Sequence, residues 1–129
     1  SIDDQIRMPR RENFSSLNLY YGTALHEVAH WTGHLSRLDR DQRNCKFGDE
    51  SYAFEELVAE IGSAFLCAEA RIPFEDLRHP EYIGNWLKVL KNDKKAIFTA
   101  ASQAQKVADF VMDEAGLSCD TDSLSSATA

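Results

Sequence analysis

A chain of 129 residues is the size of one ordinary domain and is too short for two. Hydrophobic residues make up 43% of it and aromatic residues 10%, which is typical of a globular protein rather than a disordered or fibrous one. The net charge of −7 disfavours direct nucleic-acid binding, because phosphate backbones attract clustered lysine and arginine.

The sequence contains no apolar run long enough to cross a bilayer, and residues 1–14 contain no secretion signal. We therefore expect a cytoplasmic protein without a membrane partner. The three cysteines, Cys45, Cys67 and Cys119, form no CxxC pair, so they predict neither a disulfide framework nor a thiolate zinc site. The chain begins abruptly at Ser1, as a fragment of a longer protein would.

The first predicted elements are a short strand and a helix. Residues 5–8 alternate in polarity and stop at Pro9, which is typical of a strand at a sheet edge. A helix follows, in which Ser15 or Ser16 can cap the first turn. Gly33 is expected to end this helix in the left-handed conformation.

Further helices are predicted after a polar loop at residues 34–51. Segment 52–70 forms the second helix, and Pro80 begins the third. A fourth helix, capped by Asp93, carries a mostly alanine stripe that predicts close packing. The residues of this stripe are Ile97, Ala101, Ala104, Ala108 and Val111 or Met112.

Together these elements predict a mainly α (α+β) domain over residues 1–117, with about four helices and a short edge strand or small sheet. The remaining residues, 118–129, are small and polar. We expect them to form a disordered C-terminal tail.

The stretch GTALHEVAHWTGH, residues 22–34, contains the pattern HExxH. Because each helical residue turns by about 100°, His26 and His30 share one face and can bind one ion together. A solvated polar face is the alternative, but HExxH on a helix is typical of metalloprotease zinc sites. The opposite side of the helix is apolar and consists of Leu17, Tyr20, Tyr21, Ala24, Leu25, Val28 and Trp31.

A catalytic zinc usually has three protein ligands, so a third ligand must come from another segment. The second helix contains Glu56 and Glu60, four residues apart on one face. Small residues surround both the glutamates and the histidines, which allows the two helices to approach closely. We predict Glu56 as the metal ligand and Glu60 as the carboxylate that orients a ligating histidine.

Two other glutamates of the second helix, Glu55 and Glu69, fall on a different side from Glu56 and Glu60. We expect both to be surface charges.

HEVAH followed by EELVAE resembles the gluzincin arrangement, in which a glutamate ligand follows HExxH on a later helix. Over residues 5–112 the chain resembles, more narrowly, the C-terminal zincin-like metallopeptidase domain of ArdC/TraC-type antirestriction proteins from plasmids and other mobile elements. The resemblance implies a zincin-like fold, zinc ligands at His26, His30 and Glu56, and a catalytic glutamate at Glu27. Family members usually place a single-stranded-DNA-binding domain upstream, and its DNA contacts cannot be assigned to these residues.

The expected activity is hydrolysis of peptide bonds in a protein or peptide substrate. Zinc would lower the pKa of a bound water and polarise a carbonyl oxygen, while Glu27 would act as general base. The residue that stabilises the oxyanion is open among four candidates. These candidates are Tyr52, Arg37, Arg40 and His34.

Two alternatives to an enzyme are a non-catalytic, zinc-stabilised interaction module of an antirestriction protein and a helical domain without metal. Glu27 favours the enzyme, because a purely structural zinc site has no use for a general base. Such a site would also fill the fourth coordination position with protein.

Overall fold

The structure is a computed structural model that describes residues 4–40, 50–73, 87, 91 and 93–117. The described residues form one short 3-10 helix, Arg11–Asn13, and three α-helices. We number these helices α1, α2 and α3. α1 spans Leu17–Trp31, α2 spans Glu50–Glu69 and α3 spans Ala96–Glu114.

The prediction of a mainly helical domain is confirmed, whereas the edge strand at residues 5–8 does not form. A strand needs a neighbouring strand to pair its backbone, and the described ranges contain none. The helix predicted from Pro80 lies outside the described residues except for Leu87 and Lys91, which are helical. The tail at 118–129 also lies outside them.

α1 begins as predicted and ends differently. The Ser16 hydroxyl oxygen accepts a hydrogen bond of 3.1 Å from a backbone N–H of the first turn. At the other end, Gly33 does not adopt a positive φ, so the predicted left-handed cap is wrong. The chain continues in turns in which Leu38 donates to the Thr32 carbonyl at 2.9 Å, and Asp39 takes the left-handed conformation with φ 50°.

α2 is the central helix and packs against both α1 and α3. A Cβ on Gly62 of α2 would lie 3.6 Å from Ala29 Cβ of α1 and 3.2 Å from Val107 Cγ1 of α3. The predicted close approach of helices through small residues is therefore confirmed. The core cluster consists of Ala29, Ala53, Leu57, Val58, Ala59, Leu66, Ala96, Ala100, Val107 and Ala108.

Two predicted apolar faces are displaced from the core. On α1, Leu17 and Tyr21 are 48% and 43% exposed, because α2 packs on the side that carries Gly22 and Ala29. On α3, Ile97 is 38% exposed. The buried residues of α3 are Ala96, Ala100, Ala104, Val107 and Ala108. Small side chains occupy the buried positions because they let the helix backbones approach closely.

None of the helices in the described ranges combines the length and apolar character needed to cross a bilayer.

α2 and α3 end with the same hydrogen-bond pattern. A left-handed residue follows each helix, Arg71 with φ 56° after α2 and Gly116 with φ 71° after α3. The next backbone N–H donates to a carbonyl one turn back, at 2.8 Å after α2 and 2.7 Å after α3. Only α3 is therefore followed by glycine, the residue that the left-handed conformation favours.

We expect Arg71→Gly to raise the free energy of unfolding by about 0.5–1 kcal/mol, because glycine adopts positive φ without steric cost. Gly116→Ala should lower the free energy of unfolding by about 1 kcal/mol, because alanine is strained at a positive φ. A clash does not add to this cost, since an added Cβ meets no atom of the described residues within 4 Å. Urea unfolding with an unchanged m-value measures both changes. A destabilised Arg71→Gly variant would contradict the assigned helix end.

Candidate metal centre

Two imidazoles of α1 meet a carboxylate of α2. The Nε2 atoms of His26 and His30 lie 3.1 Å apart. Glu56 Oε2 lies 3.2 Å from His26 Nε2, and Glu56 Oε1 lies 3.0 Å from His30 Nε2. Glu56 is only 5% exposed. The structure thus brings together the three residues predicted as ligands, whose donor atoms lie within 4.8 Å of one another.

The other nitrogen of each imidazole also faces a carboxylate. His26 Nδ1 lies 3.1 Å from Glu60 Oε2, which places Glu60 where the sequence predicts it. His30 Nδ1 lies 3.2 Å from Glu55 Oε1. Nδ1 facing a carboxylate while Nε2 faces the ligand position is the usual arrangement of metal-binding histidines.

The contact between His26 and Glu60 is close but not in line for a hydrogen bond. Among the described residues, neither His26 Nδ1 nor Glu60 Oε1 has a hydrogen-bond partner, although both atoms are buried. Buried polar atoms are usually satisfied, so a small rotation of either side chain would be favourable.

Glu55 is not the surface charge that the sequence predicts, because it is only 8% exposed. Its carboxylate accepts two hydrogen bonds of 2.9 Å from Arg40 and also contacts His30. The helical pattern fails here because α2 is buried on nearly every side, with residues 55–60 all buried. Glu69 is exposed, as predicted.

The pKa values reflect a cluster of paired charges. Burial alone would lower the pKa of His30, but hydrogen bonds to Glu55 and Glu56 outweigh it and raise the pKa to about 9. Burial would raise the pKa of Glu56, yet hydrogen bonds from His26 and His30 lower it to about 2. The pKa of His26 is also raised, since its carboxylate partners outweigh its burial. A metal ion must therefore displace protons from this cluster.

Glu27, the predicted general base, is half-buried on α1 beside His26. Within the ranges that the structure describes, its carboxylate forms no hydrogen bond or ion pair. The Glu27 carboxylate therefore differs from those of Glu55, Glu56 and Glu60, whose oxygens contact the imidazoles. Its role stays a prediction.

Two of the four candidates for stabilising the oxyanion, Arg37 and Arg40, form contacts with other side chains. The Arg37 guanidinium lies 3.8 Å from the centroid of the Trp31 ring and pairs with Asp4. Arg40 is paired with Glu55.

The other two candidates differ in position. His34 is exposed, and its Nδ1 lies 2.8 Å from the Ser36 hydroxyl, as expected of a loop histidine. Tyr52 is half-buried on α2, one turn before Glu56.

Residues 1–103 match the family model of zincin-like metallopeptidases, and the chain belongs to this family. Over 109 residues it is 50% identical to a DNA primase TraC of Escherichia coli, covering 84% of this chain and 10% of that protein. It is 42% identical over 109 residues to the uncharacterized protein y4eC of Sinorhizobium fredii, covering 84% of this chain and 35% of that protein.

Two solved structures of the antirestriction protein ArdC from plasmid R388 are also similar. The Mn(II)-bound crystal structure has a TM-score of 0.73 and 47% identity, covering 82% of this chain and 39% of that one. The metal-free structure has a TM-score of 0.77 and 44% identity, covering 92% and 43%. The resemblance to ArdC/TraC-type proteins is thereby confirmed, although this chain spans less than half of each of these relatives.

For the metal-free chain, we expect stability to fall as pH rises. The folded-state pKa of His30, about 9, lies above its ordinary value of 6.5. The charged ring therefore stabilises the fold fully below pH 6.5, and this contribution disappears as pH passes about 9. The loss should be on the order of 2 kcal/mol.

Urea unfolding in the presence of a chelator across this pH range measures the effect. His30→Gln is the control and should flatten the profile. Identical profiles for the two proteins would contradict the paired state of His30.

Proposed function

We propose that this chain is a zinc-dependent peptidase domain that acts in antirestriction. The observation that supports the proposal best is the convergence of His26 Nε2, His30 Nε2 and the Glu56 carboxylate between α1 and α2, where Glu56 is buried and both imidazoles are half-buried. Two imidazoles and one carboxylate are a ligand set of catalytic zinc sites, which keep a further position open.

The donor atoms favour zinc over manganese, although Mn(II) is bound in one ArdC structure. Imidazole nitrogen suits zinc, whereas manganese prefers sites made of carboxylate, carbonyl and water oxygens. Two of the three proposed ligands are histidines. We therefore take zinc as the ion that this site binds.

The residues of this chain divide the chemical work. Zn²⁺ held by His26, His30 and Glu56 would polarise a substrate carbonyl and make a water molecule more acidic. Glu27 takes the proton of the attacking water and passes it to the leaving amine. Glu60 Oε2 lies 3.1 Å from His26 Nδ1, and we expect this carboxylate to orient the ring so that Nε2 faces the ligand position.

The antirestriction role rests on the relatives. ArdC of plasmid R388 is named an antirestriction protein, and this chain shares 47% of its residues over the matched part. The net charge of −7 argues that the chain acts on a protein or peptide rather than directly on DNA.

A second candidate function is a non-catalytic, metal-stabilised interaction module. The observation in its favour is that the imidazoles and carboxylates already join α1 to α2 through ion pairs of 3.0–3.2 Å. Under this alternative the centre holds the helices together and Glu27 has no chemical task.

Replacing Glu27 distinguishes the two functions. We expect Glu27→Gln to bind zinc as the parent does but to lose at least about 100-fold in peptide cleavage, because the proton transfer is lost. Glu56→Gln should lose both zinc and cleavage, and Glu69→Gln, at an exposed position of α2, should lose neither.

Zinc content of the purified proteins and cleavage of a peptide library give the two measurements. If parent and Glu27→Gln hold zinc and are equally inert, the peptidase proposal is wrong and the interaction module is favoured. If the parent binds no zinc, both proposals are wrong.

A further inference from the structure

Arg40 reaches back from the segment after α1 to the end of that helix. Its side chain is 9% exposed, and Nη2 donates to the Ala29 carbonyl at 2.7 Å. Nη1 donates to the Thr32 hydroxyl at 3.0 Å, and that hydroxyl donates to the same carbonyl at 2.6 Å. The guanidinium is thus fixed to the C-terminal end of the helix that carries both histidines.

The same guanidinium fixes the Glu55 carboxylate. Nε donates to Oε2 and Nη2 to Oε1, each at 2.9 Å. A bidentate pair of this kind sets the plane of the carboxylate as well as its position. The Arg40 pair therefore holds the Glu55 carboxylate in a single orientation, whereas a solvated glutamate side chain would be flexible.

The orientation of Glu55 determines where His30 points. Glu55 Oε1, which accepts from Arg40, also lies 3.2 Å from His30 Nδ1. An imidazole that donates from Nδ1 must present an unprotonated Nε2 to a metal ion. That Nε2 faces Glu56, the proposed third ligand, at 3.0 Å.

We propose that Glu55 and Arg40 are a positioning pair for His30, fixing its tautomer and ring orientation for metal binding. The inference deepens the proposed function and rests on its metal site. Neither residue touches the ion: Glu55 acts through His30, and Arg40 acts through Glu55. Arg40 is accordingly a positioning residue rather than a partner of the oxyanion.

A purely structural role is the competing explanation, since the pair also joins the segment after α1 to α2. Stability alone cannot distinguish the two roles. Metal affinity and the protonation of His30 can distinguish them, because a contact that only stabilises the fold is not expected to control either property.

The test uses the complete chain and Zn²⁺, with competition by a chromophoric chelator at neutral pH. We expect Glu55→Gln and Arg40→Met to weaken zinc binding by about 10–100-fold, the usual effect of losing such a partner of a ligating histidine. Glu69→Gln and Arg71→Met are matched controls at exposed positions and should bind as the parent does.

Nitrogen-15 NMR of the zinc-bound imidazoles gives an independent measurement. The parent should show His30 with a proton on Nδ1 and zinc on Nε2. In both variants we expect the His30 signals to broaden or to report a mixture of ring states, while those of His26 change less.

Loss of one charge removes the ion-pair partner of the other buried charge, which can unfold the chain. The double variant Glu55→Gln with Arg40→Met removes both charges and keeps the test valid. It should fold, as judged by circular dichroism, and still bind zinc at least about 10-fold more weakly than the parent.

The outcomes separate this inference from the proposed function. If Glu55→Gln, Arg40→Met and the double variant bind zinc as tightly as the parent with unchanged His30 signals, the positioning role is wrong, while the metal site stands. If the parent itself binds no zinc, or Glu56→Gln binds it equally well, the proposed site fails and the positioning role fails with it.

Discussion

Everything at this site depends on the Glu56 carboxylate of α2 lying between two imidazoles of α1. Such a placement requires the helices to approach closely, and small residues such as Ala29 and Gly62 make that approach possible. Buried charges are costly unless they are paired, so the approach and the pairing depend on each other. The same contact that closes the core therefore also builds the candidate metal centre.

The charges of the cluster suit a divalent ion. Glu55, Glu56 and Glu60 are buried acids, and Arg40 supplies one positive charge against them. Neighbouring carboxylates raise the pKa values of both imidazoles, so a proton on a ring compensates the acids in part when no ion is bound. A divalent cation that displaces such a proton would take over this compensation.

The sequence predicts that the three proposed ligands lie together, because the signals are local. The spacing of His26 and His30 and the small neighbours of Glu56 follow from helical periodicity, and the structure brings these residues together. The same reasoning fails to predict that Glu55 is buried. α2 is buried on nearly every side, and Arg40 contacts Glu55 from a polar segment that has no periodicity. The expected strand at residues 5–8 fails because alternating polarity does not supply a pairing partner.

X-ray absorption spectroscopy of the zinc-loaded chain tests the central claim most directly, since it reports the atoms around the ion. We expect one zinc per chain, nitrogen and oxygen neighbours at about 2.0–2.2 Å and the outer scattering of two imidazoles. Sulfur neighbours at about 2.3 Å, or an ion without imidazole scattering, would contradict it.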